Sequence, residues 1–209
     1  MPPRQDPPDP IDAAWQGEPL RHFAPALRDA ARRVEVSAGE VLFRTGQQPA
    51  WLHFVVSGEA VMSRCDRDGR CLALQRARGA FLAEASLHST QYHCDAHAGS
   101  DALLLSFPVR ALRSAIDGHE PTRWAWIAML ASEIRRQRSN AERLSLKTVR
   151  ERLLHLLVTQ GDNGRLPLAG TRKDLAAQLG VSHEALYRCL ATLSRDGIVR
   201  VDDQALTLL

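Results

Sequence analysis

At 209 residues and 44% hydrophobic, the chain carries enough apolar side chains for one large core or two ordinary ones, which excludes a disordered chain. Its net charge of +3 is too small for bulk charge to mark a nucleic-acid binder, so any basic surface must be local. The start, Met1-Pro2-Pro3-Arg4-Gln5-Asp6-Pro7-Pro8-Asp9-Pro10, lacks the apolar core of a signal peptide, and no apolar run is long enough to span a bilayer, so the expected location is the cytoplasm with no membrane partner.

The Pro-rich start reads as an extended tail, followed by a short amphipathic helix over Leu20 to Arg33. From Val34 to Pro108 the texture becomes short β-like runs punctuated by glycine: Val41-Leu42-Phe43, Leu52 to Val56, Ala60-Val61-Met62, Leu72-Ala73-Leu74 and Leu103-Leu104-Leu105. Asp68-Gly69 is a hairpin turn between two of them. Many short strands with regular turn signals predict a barrel or jelly roll. Cys65 and Cys71 flank that turn and are expected opposite each other on paired strands as small, half-buried hydrophobes. With the four cysteines at 65, 71, 94 and 189 and no Cys-x-x-Cys pair, neither a disulfide framework nor a zinc ribbon is expected.

From about His119 the pattern turns helical. Ile127, Leu130, Ile134, Gln137, Ala141 and Leu144 recur in alternating steps of three and four, the spacing of a helix–helix seam with one polar position, and predict a homodimer. The other reading is a helix packed within its own chain. A second helix spans Val149 to Thr159. Thr171 with Asp174 then forms a capping box that starts a short helix ending at Gly180. Val181-Ser182 makes a turn, and Ser182 caps a further helix in which Leu186, Leu190 and Leu193 form an apolar back while His183, Glu184, Tyr187 and Arg188 point elsewhere. Gly197 closes it, and residues 198–201 and 205–208 read as two strands of a small wing. A buried back, a tight turn and polar residues near the amino end are what a recognition helix needs in a DNA major groove. No Walker loop, nucleophile elbow, His-Glu-x-x-His or paired catalytic carboxylates are present, so no enzymatic activity is expected.

Three motifs in this order resemble the CRP/FNR family of transcription regulators: Ala38-Gly39-Glu40-Val41-Leu42-Phe43-Arg44-Thr45-Gly46 with Val56-Ser57-Gly58-Glu59-Ala60, then Val149-Arg150-Glu151-Arg152-Leu153, then Leu175 to Leu193. The resemblance implies an α+β chain. Its parts are a tail and short helix over 1–33, a cyclic-nucleotide-binding-like β-roll over 34–118, a dimerisation helix over 119–147 and a winged helix-turn-helix over 148–209. It also implies a homodimer on a pseudo-palindromic site in double-stranded DNA, with RNA polymerase as a further partner. The family's base-reading positions fall on His183, Glu184 and Arg188. Glu accepts from a cytosine amino group and Arg forks onto guanine, while His183 stands where many relatives have Arg. Ser182, Thr171 and Arg172 are candidates for phosphate contacts, and Tyr187 shares the exposed face.

The nucleotide cassette of the family corresponds to Gly79 to Leu87 and then Tyr92 to Ala98. Glu84 is retained, Ala83 replaces a glycine, and no Arg lies between Arg78 and Arg110. A cyclic phosphate would lack its charge-assisted partner, so cyclic AMP is not the expected effector. The candidate pocket is Ala83, Glu84, Ala85, Ser86, Tyr92 and His93, with Gln137 able to donate from the dimer helix. His88, His93, Cys94 and His97 also suggest an alternative, a metal-, haem- or redox-responsive sensor of the same family. In an extended strand, however, His93, Asp95 and His97 face one side while Cys94 and Ala96 face the other, so these ligands converge only at a bend. The cysteine cluster of the family's iron–sulfur branch has no counterpart in Met1 to Arg33.

Overall fold

The structure is a computed structural model and describes residues 9–66, 68–69, 71–168 and 170–209. They form two compact units, Met1–Met129 and Leu130–Leu209. Most of the Pro-rich start lies outside the described residues. Asp9 and Pro10 instead open helix α1 (Pro10–Gln16): the Asp9 carboxylate accepts from the Ile11 amide, and Pro10 at the first helical position has no amide to leave unpaired. The single helix expected over Leu20 to Arg33 does not form. That stretch is a 3-10 turn at Leu20–His22, then α2 (Pro25–Ala30), then the start of strand β1 (Arg32–Val36). Pro25 holds Ala24 extended, which stops a helix from running through, and Ala31 turns extended before β1 pairs with a later strand.

Seven further strands complete the first unit: β2 (Val41–Phe43), β3 (Trp51–Ser57), β4 (Ala60–Cys65), β5 (Cys71–Ala77), β6 (Phe81–Leu82), β7 (Asp95–Ala98) and β8 (Ala102–Pro108). They make two four-stranded antiparallel sheets in the orders β1-β8-β3-β6 and β2-β7-β4-β5, the β-roll that the turn-punctuated runs predict. β8 is buried along nearly its whole length, which is why it reads as a continuous apolar run instead of an alternation. Helices α3 (Val109–Gly118) and α4 (Glu120–Ser145) follow. An aromatic cluster joins helix to sheet: Phe81 lies 5.3 Å from Phe54, 5.5 Å from Phe107, 5.2 Å from Trp126 of α4 and 5.9 Å from Phe23. Such ring pairs contribute about 0.5–1.5 kcal/mol each beyond the area they bury.

The β4–β5 hairpin corrects one expectation. Cys65 and Cys71 do face each other in register, yet both are exposed and they are disulfide-bonded. The turn between them is tightened by the Asp66 carboxylate, which accepts from the Asp68 amide, and by Gly69 at φ +79°. The facing of the two residues is as expected from the turn; the departure is that they lie on the solvent side and are cross-linked instead of packing as half-buried hydrophobes.

In the second unit, α5 (Val149–Gln160), α6 (Arg172–Leu179) and α7 (His183–Arg195) surround one core of Leu153, Leu156, Leu157, Leu175, Leu179 and Leu186, joined by Leu190 and Leu193. The wing is a three-stranded sheet ordered β10-β11-β9, from β9 (Arg165–Pro167), β10 (Val199–Val201) and β11 (Ala205–Leu208). β9 was not expected from the sequence; its three residues are too few to set a periodicity and gain their order from pairing with β11.

Candidate nucleic-acid interface and sensor cassette

Both turns of the helix-turn-helix are fixed by local chemistry. The Thr171 hydroxyl accepts from the Asp174 amide while the Asp174 carboxylate accepts from the Thr171 amide, a reciprocal cap on α6. Gly180 ends that helix at φ +66°, φ/ψ space that a β-carbon disfavours. A β-carbon there would also lie 3.1 Å from Leu144 and 3.3 Å from the Arg152 guanidinium. Ser182 then caps α7 by accepting from the Ala185 amide. The back of α7 is sealed, with Leu186 fully buried, and its front carries His183, Glu184, Tyr187 and Arg188, all exposed. The Glu184 carboxyl is held below its ordinary range by its own backbone amide and the Ser182 hydroxyl, so it faces solvent as an anion. His183 packs edge-on against Tyr187 with ring centroids 4.5 Å apart, and Arg188 has no hydrogen-bond partner among the described residues.

Two candidate phosphate ligands have other work. Thr171 is committed to the α6 cap, and its hydroxyl also donates to the Asp174 carboxylate. Arg172 donates to the Asp202 carbonyl at 2.8 Å, tying the start of α6 to the wing turn. Sequence reasoning missed Arg152. Its guanidinium donates to the carbonyls of Leu144 and Leu146 at the end of α4 and of Leu179 and Gly180 at the end of α6, satisfying acceptors that both helix ends leave open.

The cassette stretch folds around Ala83, which is buried and holds φ +63° at the start of a 3-10 turn over Glu84–Ser86. The left-handed backbone explains why a glycine suits this position, and Ala83 occupies it at a cost of about 1–2 kcal/mol. Ser86 is buried and Ala85 exposed. Tyr92 is not open to a ligand: its ring stacks on Phe43 at 3.8 Å and its hydroxyl donates to the Trp51 carbonyl at 2.5 Å, while burial pushes its pKa up. His93 is exposed, with Nε2 3.1 Å from the Ser89 hydroxyl. A cation does reach this region from another strand, since Arg64 of β4 donates to the His93 carbonyl at 3.0 Å. Along β7 and the residue before it the alternation is clear: Cys94, Ala96 and Ala98 are buried while Asp95 and His97 are half-buried. Cys94 Sγ lies 3.6 Å from the Met62 sulfur, its pKa raised by burial, and His88 is exposed. Among the described residues, no three His, Cys, Asp or Glu side chains are arranged to hold a metal ion. These residues fit cyclic AMP poorly, because the cassette supplies no arginine and its one aromatic hydroxyl is already bonded inward.

Residues 33–119 match the sequence description of the cyclic nucleotide-binding domain, and residues 151–209 match that of the Crp-like helix-turn-helix domain. The chain belongs to the CRP/FNR family of transcription regulators. Solved structures of the same fold include FixK2 from Bradyrhizobium japonicum, at TM-score 0.65 and 22% identity over 85% of this chain and 92% of that one. A putative cAMP-binding regulatory protein from Silicibacter pomeroyi DSS-3 aligns at TM-score 0.59 and 21% identity over 93% and 91%. The c-di-GMP responsive regulator CLP from Xanthomonas campestris aligns at TM-score 0.58 and 21% identity over 86% and 94%. The last two are described by different nucleotides, so the CRP/FNR fold by itself does not name an effector. No curated protein sequence matches the chain significantly.

The α4 stripe of this CRP/FNR chain leaves apolar surface open. Ile127, Ile134 and Leu144 are exposed large hydrophobics and Leu130 is half-buried; Gln137 and Ala141 are exposed. Gln137 donates to the Glu133 carboxylate at 2.6 Å. Trp124, absent from the sequence-based seam, extends the exposed stripe by one turn. No described helix is long and apolar enough to cross a membrane.

Proposed function

We propose that the protein is a homodimeric, sequence-specific DNA-binding transcription regulator that sets α7 in the major groove of each half of a pseudo-palindromic site. The observation that carries this reading is the asymmetry of α7: Leu186, Leu190 and Leu193 are buried in the core while His183, Glu184, Tyr187 and Arg188 stand exposed at its amino-terminal half. Glu184 can accept from a cytosine amino group, and Arg188, one turn on, can fork onto guanine O6 and N7. Ser182 at the amino end supports a phosphate contact that fixes register. Dimerisation through Ile127, Leu130, Ile134, Gln137, Ala141 and Leu144 brings two such helices to one site, and RNA polymerase is the natural further partner of a regulator so placed.

We infer that the β-roll is the sensor and that its ligand is not cyclic AMP: the cassette has no arginine between Arg78 and Arg110, and Arg64, which reaches it from β4, is bonded to the His93 carbonyl. The test is selection from a randomised duplex pool, with and without cyclic AMP, at a fixed salt concentration. A palindrome selected without nucleotide supports the reading; selection only with cyclic AMP overturns the ligand assignment. Arg188→Ala should lower specific affinity by about 1–3 kcal/mol and relax one base position in each half-site. Unchanged affinity and preference would remove α7 from the interface.

A further inference from the structure

We propose that Cys65 and Cys71 form a reversible thiol–disulfide site at the tip of the β4–β5 hairpin, a redox input on the sensor unit built from residues other than those of the cassette. The two residues are the last paired positions before the turn, they are bonded to each other, and both are exposed. The other cysteines are chemically different: Cys94 is buried, Cys189 is half-buried, and burial raises both thiol pKa values, which keeps them poor nucleophiles. Exchange chemistry is therefore concentrated in one pair.

Thiol–disulfide exchange requires a thiolate to reach a sulfur, so exposed disulfides are the labile ones. A protein that acts on DNA shares a compartment whose thiols are kept reduced, and in such a compartment an exposed pair is poised to cycle. The reducing compartment follows from the DNA-binding reading; the pairing and exposure of the two cysteines do not depend on it. In the oxidising direction, one cysteine thiolate attacks a low-molecular-weight disulfide, releasing one small thiol and leaving a mixed disulfide. The second cysteine then displaces the other small thiol. Two protein thiols become one S–S bond, one small disulfide becomes two thiols, and the two protons pass to the released thiols.

The hairpin is built so that this bond governs its tip alone. At the base, Ala77 is buried opposite Ala60, and the buried Glu59 carboxylate is ion-paired with both Arg76 and Arg78. Towards the tip, β5 is an edge strand whose ladder pairs it with β4, and 71–74 are exposed throughout. The cross-link spans a sequence separation of only 6, so it orders the turn and the strand ends without holding the sheet together.

The test uses the full-length protein, equilibrated in buffers of reduced and oxidised glutathione from both the reduced and the oxidised side, quenched by alkylation and read by mass spectrometry. Cys65 and Cys71 are expected to convert together in one two-electron step reached from both directions, while Cys94 and Cys189 remain thiols. Amide exchange over 63–74 should be at least about fivefold faster in the reduced protein and in the Cys65→Ser, Cys71→Ser double variant than in the oxidised protein. A pair that stays bonded, or stays a dithiol, across the whole series overturns the proposal. So does accumulation of stable glutathione adducts, or identical exchange in the two states. Neither readout involves DNA, so failure here is distinct from failure of the DNA-binding reading.

Discussion

His53 lies in β3 with almost no solvent contact, and its Nδ1 sits 2.8 Å from the Ser106 hydroxyl of the neighbouring strand β8. Burial disfavours the imidazolium and lowers its pKa from 6.5 to about 4. The unfolded chain therefore binds a proton below pH 6.5 that the folded chain refuses until about pH 4, so the contribution is complete above 6.5 and is lost as the pH falls through that window. Between pH 7 and pH 5 the loss is about 2 kcal/mol. The depressed carboxyls of Asp95, Glu133, Glu151, Glu184 and Asp202 act at lower pH, because each starts from an ordinary carboxyl pKa of 4.5 or less and is shifted down. Urea denaturation at the two pH values should thus show the decrement in the wild type and little of it in His53→Gln. An equal decrement in both proteins would assign the pH dependence to other groups.

Arg152 is the element-scale counterpart, a single guanidinium that closes the ends of two helices. Its donors reach four backbone carbonyls at 2.9–3.3 Å, and hydrogen bonds from a charged donor contribute about 1.5–3 kcal/mol where they are sheltered. Arg152 is half-buried, so the expected cost of Arg152→Ala is about 2 kcal/mol, read from urea unfolding, and Arg152→Lys should recover little because an ammonium cannot fork to both helix ends. A neutral alanine variant would show that water caps these carbonyls equally well. The helix-turn-helix was legible in the sequence because its signals are local: Thr171 with Asp174, Gly180, and Ser182 each act within one turn of chain. The β-roll was legible as a class, since glycine-punctuated apolar runs mark strands. Its shortest strands were not, nor was the third strand of the wing: β6, β7 and β9 are two to four residues long, and their order comes from neighbours remote in sequence. The same distance hid Arg64 beside His93 and Arg152 beside Gly180, whereas the facing of Cys65 and Cys71 was legible from the turn between them and only their bond was not.

At the scale of the whole molecule, the question is what covers α4. A 26-residue helix leaves Trp124, Ile127, Ile134 and Leu144 open to water, and large apolar side chains repeated along one helix are what a partner covers. Pairing with a second copy in two-fold symmetry would bury each residue twice, so one substitution changes the interface at two places. Covering the exposed half of Ile134 contributes about 1 kcal/mol per protomer, and an aspartate in its place adds the cost of desolvating one carboxylate from each copy. Ile134→Asp should therefore raise the dimer dissociation constant at least about a hundredfold, measured by sedimentation equilibrium, while leaving the unfolding midpoint of the isolated chain nearly unchanged because the side chain is solvated there. Affinity for a palindrome should fall with it, since two recognition helices held by one dimer bind as a linked pair and two separate ones do not. Affinity for a single half-site should stay the same. If Ile134→Asp remained fully dimeric, the seam would run along another face of α4; if half-site affinity fell equally, the substitution would be acting on the DNA-binding unit itself.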